Sequence, residues 1–289
     1  SLYHPETVTR SLMHDGSGQE PGFKDPHTGS WDLRPHASRI QNVGETVLRT
    51  WQAVTEADDW HSTPLVSTVN SAASRTLATL ASQPRISTLN LQFSSGWHET
   101  SDFEKGRFTK TWGTASWEAA ILQGPHIHVS TPLYKQPNKT MKHNQDWTST
   151  DLEALPTSAQ PVTQYEPAGD RDTYDHLYTH WNDSSARDHY RIAWRAMAAN
   201  TGERTLIPAI IPPGAAHPNG VFSSGSPSLS PSDLATLQAG SSSLLTDFAL
   251  RALPKSGIYF PDFSRLPTLP HNNPLTARVV LRTLRLNCV

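Results

Sequence analysis

An α+β fold, with a central, mainly antiparallel sheet, helical flanking segments and long loops, is predicted by three observations. Apolar residues recur at helical spacing before residue 85, change to a two-residue period at 86–93 and again at 190–211, and return to helical spacing after residue 230. The chain therefore reads as a lead-in and helical spacer over 1–85 and a second domain over 86–289, with its sheet in 86–222 and a helical end in 230–289. At 289 residues it can bury one large or two modest cores. A hydrophobic content of 36% with 23 prolines and 16 glycines makes it rich in loops.

Residues 1–30 are polar, broken by Gly and Pro, and without period. Helical spacing begins near His36, with Ile40, Val43, Val47, Trp51 and Val54 on one stripe. Ser62-Thr63-Pro64 offers a cap and a first-turn proline for a second helix carrying Leu65, Val69, Leu77 and Leu80. This pair reads chiefly as a spacer, with Arg34, His36 and Arg39 as the cluster in it that could contact DNA or a further domain. Leu89, Leu91 and Phe93 alternate with polar residues, as in a half-buried strand. Trp97, Trp112 and Trp117 follow with no basic pattern around them, so they read as core plugs rather than as a base-stacking platform.

Tyr190 to Ile211 is the clearest regular element. Tyr190, Ile192, Trp194 and Ala196 alternate with Arg191, Ala193, Arg195 and Met197; Asn200-Thr201-Gly202-Glu203 signals a turn; and Thr205 to Ile211 returns as a second strand. Arg191 and Arg195 are then expected to project together from a solvated face, with Arg204 and Thr205 across the hairpin, where a guanidinium can grip phosphate or guanine. Pro208 cannot donate to a ladder and predicts a bulge or a free edge. Ser230-Pro231-Ser232-Asp233 has the form of a capping box, Gly240 interrupts, and Leu244, Leu245, Phe248, Ala249, Ala252 and Leu253 continue an apolar face with an exposed Asp247–Arg251 pair. Pro261, Pro267 and Pro270 predict a surface connector, and Asn273-Pro274 caps a last helix with Arg278, Arg282 and Arg285 on one face.

The stretch from Trp97 to Pro156 has little repetitive structure. Within it, Ile121-Leu122-Gln123-Gly124-Pro125-His126 is an apolar run stopped by Gly-Pro, and 132–144 is a proline-punctuated loop carrying Lys135, Lys139 and Lys142 among Gln136, Asn138 and Asn144. Exposed cations and amides on restrained backbone suit a polyanion. The formal net charge of −2 argues against a simple polyanion binder. Charge is unevenly spread, however: 1–100 hold seven Lys/Arg and ten Asp/Glu, while 250–289 hold Arg251, Lys255, Arg265, Arg278, Arg282 and Arg285 against Asp262 alone.

Six pieces, in order, resemble the target-recognition region of large bacterial SAM-dependent adenine-N6 DNA methyltransferases, the group of type IIG-like restriction-modification enzymes and BREX- and DISARM-type phage-defence methylases. They are WDLRPHASRI (31–40), WHET to ILQGPHI (97–127), YKQPNKTMKHNQDW (134–147), DLEALP (151–156), YRIAWRAMAANTGERTLIPAIIPPG (190–214) and LLTDFALR (244–251). The resemblance implies a bacterial DNA-binding part, and the lack of a signal-peptide pattern or an 18-residue apolar span makes a cytoplasmic location the expectation. Double-stranded DNA and a catalytic methyltransferase domain of the same polypeptide would be its partners, with SAM held in that other domain.

No catalytic residue, cofactor site or metal site is expected within this chain. The glycine-rich SAM loop and the Asn/Asp-Pro-Pro-aromatic motif of adenine-N6 methylases are absent, Pro212-Pro213-Gly214 and Asn272-Asn273-Pro274-Leu275 supplying only fragments of the latter. There is no Walker loop, G-x-S-x-G elbow or PD-(D/E)-x-K core. His176 and His180 stand four apart, but the intervening Glu of a metalloprotease helix is missing, and Cys288 is the sole cysteine. No apolar run is long enough to span a bilayer. The beginning at Ser1 and the ending at Val289 read as cuts through a longer protein. A protein- or carbohydrate-binding module built on the nine tryptophans is the competing expectation.

Overall fold

The computed structural model describes residues 4–66, 68–113, 116–199, 201–253, 256–270 and 273–287. Asn200 of the expected turn, Lys255, Asn272 and Cys288 lie outside them. The protein is α+β and divides into two compact units, Ser1–Gln83 and Pro84–Val289. Among the described residues, no helix is long and apolar enough to cross a membrane.

The first unit holds α1 (Pro5–Leu12), α2 (Glu45–Thr55) and α3 (Ser71–Ala81). Trp51, Val54, Val66, Val69 and Leu77 are its buried apolar residues. Two helix starts differ from expectation. Helix α2 begins at Glu45 after Gly44, and the residues just after His36 form only a 3-10 turn, Ala37–Arg39. Helix α3 begins seven residues beyond Pro64, because Asn70 supplies the stronger cap: its side chain accepts from Ala73 N at 2.8 Å while its amide donates to Pro21 O. Leu65, placed on the helix stripe by spacing alone, is instead 81% exposed.

The Arg34, His36 and Arg39 cluster is an internal clasp. Asp32 is buried, and the Arg34 guanidinium beside it, 2.7 Å away, holds its carboxyl well below the usual range, at about 2. Arg39 donates to Asp32 O, and the buried His36 ring accepts from Ser38 N at 3.0 Å. Asp32, His36 and Arg39 satisfy the lead-in's own backbone, while the half-exposed Arg34 guanidinium is held by the Asp32 carboxylate.

The second unit contains β1 (Gln92–Ser94), α4 (Ser101–Glu104), β2 (Phe108–Thr109), β3 (Lys135–Pro137), β4 (Trp147–Ser149), β5 (Glu166–Pro167), α5 (Arg171–Leu177), β6 (His180–Trp181) and β7 (Ser184–Ser185). It continues with β8 (Arg191–Arg195), β9 (Pro208–Ile211), β10 (Val221–Gly225), α6 (Pro231–Ser241), α7 (Leu244–Arg251), α8 (Phe260–Ser264) and α9 (Thr276–Asn287). The central sheet is antiparallel with order β1-β10-β8-β9. The strand expected over 86–93 is shorter: Ile86–Leu89 coils into a 3-10 turn and pairing starts at Gln92. Pro208 opens β9, the edge strand, opposite Trp194. Its carbonyl is taken by Ser130 N at 2.8 Å and by the Gln238 amide at 3.0 Å.

Strand β8 is covered on both faces, which corrects the expectation of a solvated one. On one side the fully buried Trp194 stacks on Phe263 at 4.2 Å and donates its indole N–H to Ile258 O at 2.8 Å. The 261–270 segment is therefore core-forming, not a surface connector. On the other side Ala193 packs with Ala120, Leu122, Ile127, Ala209, Ile211, Ala215 and Val221. A second cluster joins Trp97, Phe108, Ile121, Tyr165, Tyr174, Tyr178 and Trp181. Trp97, expected as a core plug, is buried there and donates to Tyr174 Oη at 2.6 Å, whereas Trp112 and Trp117 are half-buried.

Helix α6 starts at the expected cap, with Ser230 Oγ accepting from Asp233 N at 3.1 Å, and runs through Gly240 without a break. It packs against β8, β9 and α9, so its residues are buried nearly all round. Ser243 caps α7; of the expected apolar face Ala249 and Ala252 are buried, whereas Leu244 and Leu245 are turned to solvent at 72% and 54% exposure. Asp247 does pair with Arg251, at 2.8 Å, but it does so from a buried position.

Gly96 lies where two chain segments cross. It has φ +66°, and a Cβ there would sit 2.1 Å from His217 O, which also accepts the Trp97 N–H. Both the left-handed backbone and the overlap exclude a side chain. Gly96→Ala is expected to lower stability by roughly 2–4 kcal/mol, read as a fall in the urea midpoint at unchanged slope.

Candidate nucleic-acid interface

The proline-punctuated segment forms a β-hairpin in which Lys135 pairs with Ser149, Gln136 with Thr148 and Pro137 with Trp147. Its tip, 138–146, closes on one carboxylate. Asp146 accepts from Asn138 Nδ2 at 2.7 Å, Thr140 Oγ1 at 2.6 Å and Lys142 N at 3.1 Å. These hydrogen bonds, that of Thr140 foremost, hold the Asp146 carboxyl at about 2. Thr148 Oγ1 donates to Asn138 Oδ1 at 2.7 Å, which commits the Asn138 amide to the frame on both sides. Lys139, Lys142, His143, Asn144 and Gln145 are exposed around that frame.

The hairpin is anchored by His126, which is fully buried. Gln123 N donates to His126 Nδ1 at 2.9 Å, so the proton resides on Nε2, which faces Val162 O at 2.8 Å. The Trp147 ring stands edge-on to this imidazole at 4.8 Å, and Tyr134 N donates to His126 O. Burial pushes His126 down to about 4, so it is neutral at pH 7.

Lys135 lies over the Tyr134 ring at 5.3 Å, and Tyr134 contacts His128 at 4.3 Å. His128 is held below the usual imidazole range, by burial first and then by the positive charges of Arg195, Arg204 and Lys135, with Glu203 opposing. The fold thus gathers Lys135, Arg195 and Arg204 around one imidazole, although they are distant in sequence. Asp146, His128 and Tyr134 were not anticipated. The first could have been suspected from an acid beside Trp147 at the end of a lysine-rich loop; the others gave no local signal.

The remaining expected contacts are corrected. Arg191 is fully buried and donates to Ser223 Oγ at 3.3 Å, His189 O at 3.1 Å and Ala215 O. Arg195 is half-buried, with Nε donating to Ile127 O at 2.8 Å. Arg204, 14% exposed, donates to Ser242 O and lies 3.7 Å from Asp247. Thr205 is buried, its N–H bound to Asp247 Oδ1 at 2.8 Å. The two faces of β8 are both packed, so its arginines serve backbone carbonyls instead of projecting outward. Of the nine expected contact positions, Lys139, Lys142 and Asn144 are fully available, with Lys135 partly so.

Elsewhere, His217 Nε2 and Ser223 Oγ are 2.7 Å apart, as in a nucleophile and its base. Both are fully buried, and burial pushes His217 down to about 3, so the pair has no path to substrate. His176 lies in α5 and His180 beyond its end, and among the described residues no group of His, Cys, Asp and Glu could hold a metal ion. No protein-family model matches the chain, and a search of curated proteins finds no match.

Two expected outcomes follow from these burial patterns. Arg191→Ala strips donors from the buried Ala215 carbonyl, the half-buried His189 carbonyl and the buried Ser223 hydroxyl and should cost about 3 kcal/mol or more, whereas Lys139→Ala should change stability by less than about 0.5 kcal/mol. Chemical denaturation of each variant measures this. Second, His126 and His217 bind protons more readily unfolded, near pH 6.5. Their contribution is complete above about pH 6.5 and is lost as pH falls toward about 4 and about 3 respectively. The urea midpoint should therefore decline between pH 7 and 4.5, and decline less steeply in His126→Gln.

Proposed function

We propose that Pro84–Val289 is a DNA target-recognition unit, and that the tip of the β3–β4 hairpin is its contact with the phosphate backbone of duplex DNA. The observation that carries this reading is the braced loop. Asp146, the acid within the tip, has its carboxylate taken up by Asn138, Thr140 and Lys142 N, while Lys139, Lys142 and Asn144 point outward from a frame that needs no further ordering. Backbone that is already ordered loses little further freedom on binding, which favours contact with a regular polyanion through the lysines it displays. The Lys135, Arg195, Arg204 and His128 neighbourhood extends the positive potential toward the base of the hairpin.

The resemblance to adenine-N6 methyltransferases supports the same reading. On it, the protein is a bacterial, cytoplasmic component of a restriction-modification or phage-defence system, and a methyltransferase domain of the same polypeptide binds SAM and extrudes the adenine. The residues of this chain position DNA and perform no methyl transfer. A carbohydrate-binding module is not favoured, because Trp31 alone of the nine tryptophans is exposed and no ring platform results.

Lys139→Ala/Lys142→Ala is expected to weaken binding of a fluorescent duplex about equally for any sequence. The slope of log K against log salt should become shallower by roughly 0.9 for each lysine removed. Fluorescence anisotropy across a salt series measures this, and an unchanged slope would remove the hairpin tip from the DNA surface.

A further inference from the structure

Helix α9 carries a surface that the DNA reading does not use. Its inner side packs on α6, with Thr283 buried and Thr276, Val279, Val280 and Asn287 half-buried. Arg278, Arg282 and Arg285 stand together on the outer side, exposed, with no ion pair among the described residues. At about 100° per residue, Leu281 and Leu284 border this stripe on one flank and Leu286 on the other. They are 62%, 40% and 67% exposed.

Round the helix from the stripe, beyond Leu281 and toward α6, opens a cavity of about 620 Å³, within the size range of sites that take a large apolar group. Trp117, Leu133, Tyr190, Ile210 and Leu284 are among its walls. Leu281 and Leu284 thus form an apolar path from the edge of the arginine stripe round to the cavity, of which Leu284 is a wall.

From this juxtaposition we propose that α9 and the adjoining cavity form a docking surface for an acidic amphipathic segment of a partner protein. Carboxylates on the segment would meet Arg278, Arg282 and Arg285, and one bulky apolar side chain would enter the cavity. The chemistry discriminates among occupants. A second copy docked two-fold through the same patch would set basic stripe against basic stripe. A duplex backbone would answer the arginines but leave Leu281, Leu284 and Leu286 with no apolar surface to cover them. A small apolar ligand would fill the cavity and leave the arginines unused. An acidic amphipathic segment satisfies all three elements, with helix-spaced anchors in the manner of groove-bound peptides.

The probe is a fluorescein-labelled synthetic helical peptide with glutamates at i, i+4 and i+7 and a single tryptophan, titrated with the full chain by anisotropy. Binding should weaken about tenfold or more in Arg278→Ala/Arg282→Ala/Arg285→Ala, and comparably in Leu284→Ala or when the peptide's tryptophan becomes alanine. All these protein changes are at exposed or cavity-lining positions, and far-ultraviolet circular dichroism confirms that each variant is folded. Lys139→Ala/Lys142→Ala should bind the peptide normally, which keeps this proposal independent of the hairpin's role. Absence of peptide binding, equal binding without the arginines, or indifference to the tryptophan would overturn it. So would duplex DNA losing affinity in the arginine variant as much as the peptide does, since the stripe would then be a nucleic-acid contact.

Discussion

Buried guanidinium groups donating to the carbonyls of irregular chain are what the larger unit depends on. Its strands are short, yet it encloses long connecting segments, and every enclosed carbonyl needs a donor that no ladder provides. Arg187 supplies Glu118 O and Gly214 O, with Asp175 and the Tyr174 ring compensating its charge. Arg191 does the same for His189 O and Ala215 O, and Arg195 for Ile127 O. Indole and imidazole N–H groups complete the set, at Phe93 O from Trp181, Ile258 O from Trp194 and Val162 O from His126. A planar fork carries five donors spread over three nitrogens and can hold separate strands of loop at once, a geometry that lysine's three donors on one nitrogen do not reproduce.

This arrangement explains what was legible in the sequence and what was not. The α+β class, the pairing of β8 with β9, the edge position of Pro208, the Ser230 cap and the Asp247–Arg251 pair all follow from local period or spacing, although β9 begins at Pro208 and not at Thr205 as expected. Period is set by the backbone, so local reading recovers it. The direction of Arg191 is not set that way. Alternation puts it on the face opposite Ile192, but whether that face meets water depends on residues 120–127 and 215–221 folding over it. Charge alone suggested solvent, and tertiary cover reversed the assignment. The start of α3 failed for a different reason, since two caps competed and Asn70 prevailed over Ser62.

The hairpin tip lay at the other extreme. Lys139, Lys142 and Asn144 were identifiable because polar residues between prolines in a loop have few ways to be buried. Its brace was not, because Asp146 acts across the loop through Asn138, Thr140 and the Lys142 main chain. Among the arginines, those of α9 remain outward because they lie on one face of an edge helix whose other face alone meets α6. The same residue type is therefore structural in β8 and displayed in α9, and the difference is the number of covered faces.

The closure of 138–148 upon Asp146 separates frame from cargo. Every bond of the brace runs through Asn138, Thr140, Asp146, Thr148 or main chain, and none uses the side chains of Lys139, Lys142, Asn144 or Gln145. Those four positions can therefore be exchanged without refolding the loop. A lineage could drift through many displayed surfaces while retaining one scaffold, and the hairpin could be grafted as a cassette onto another antiparallel pair.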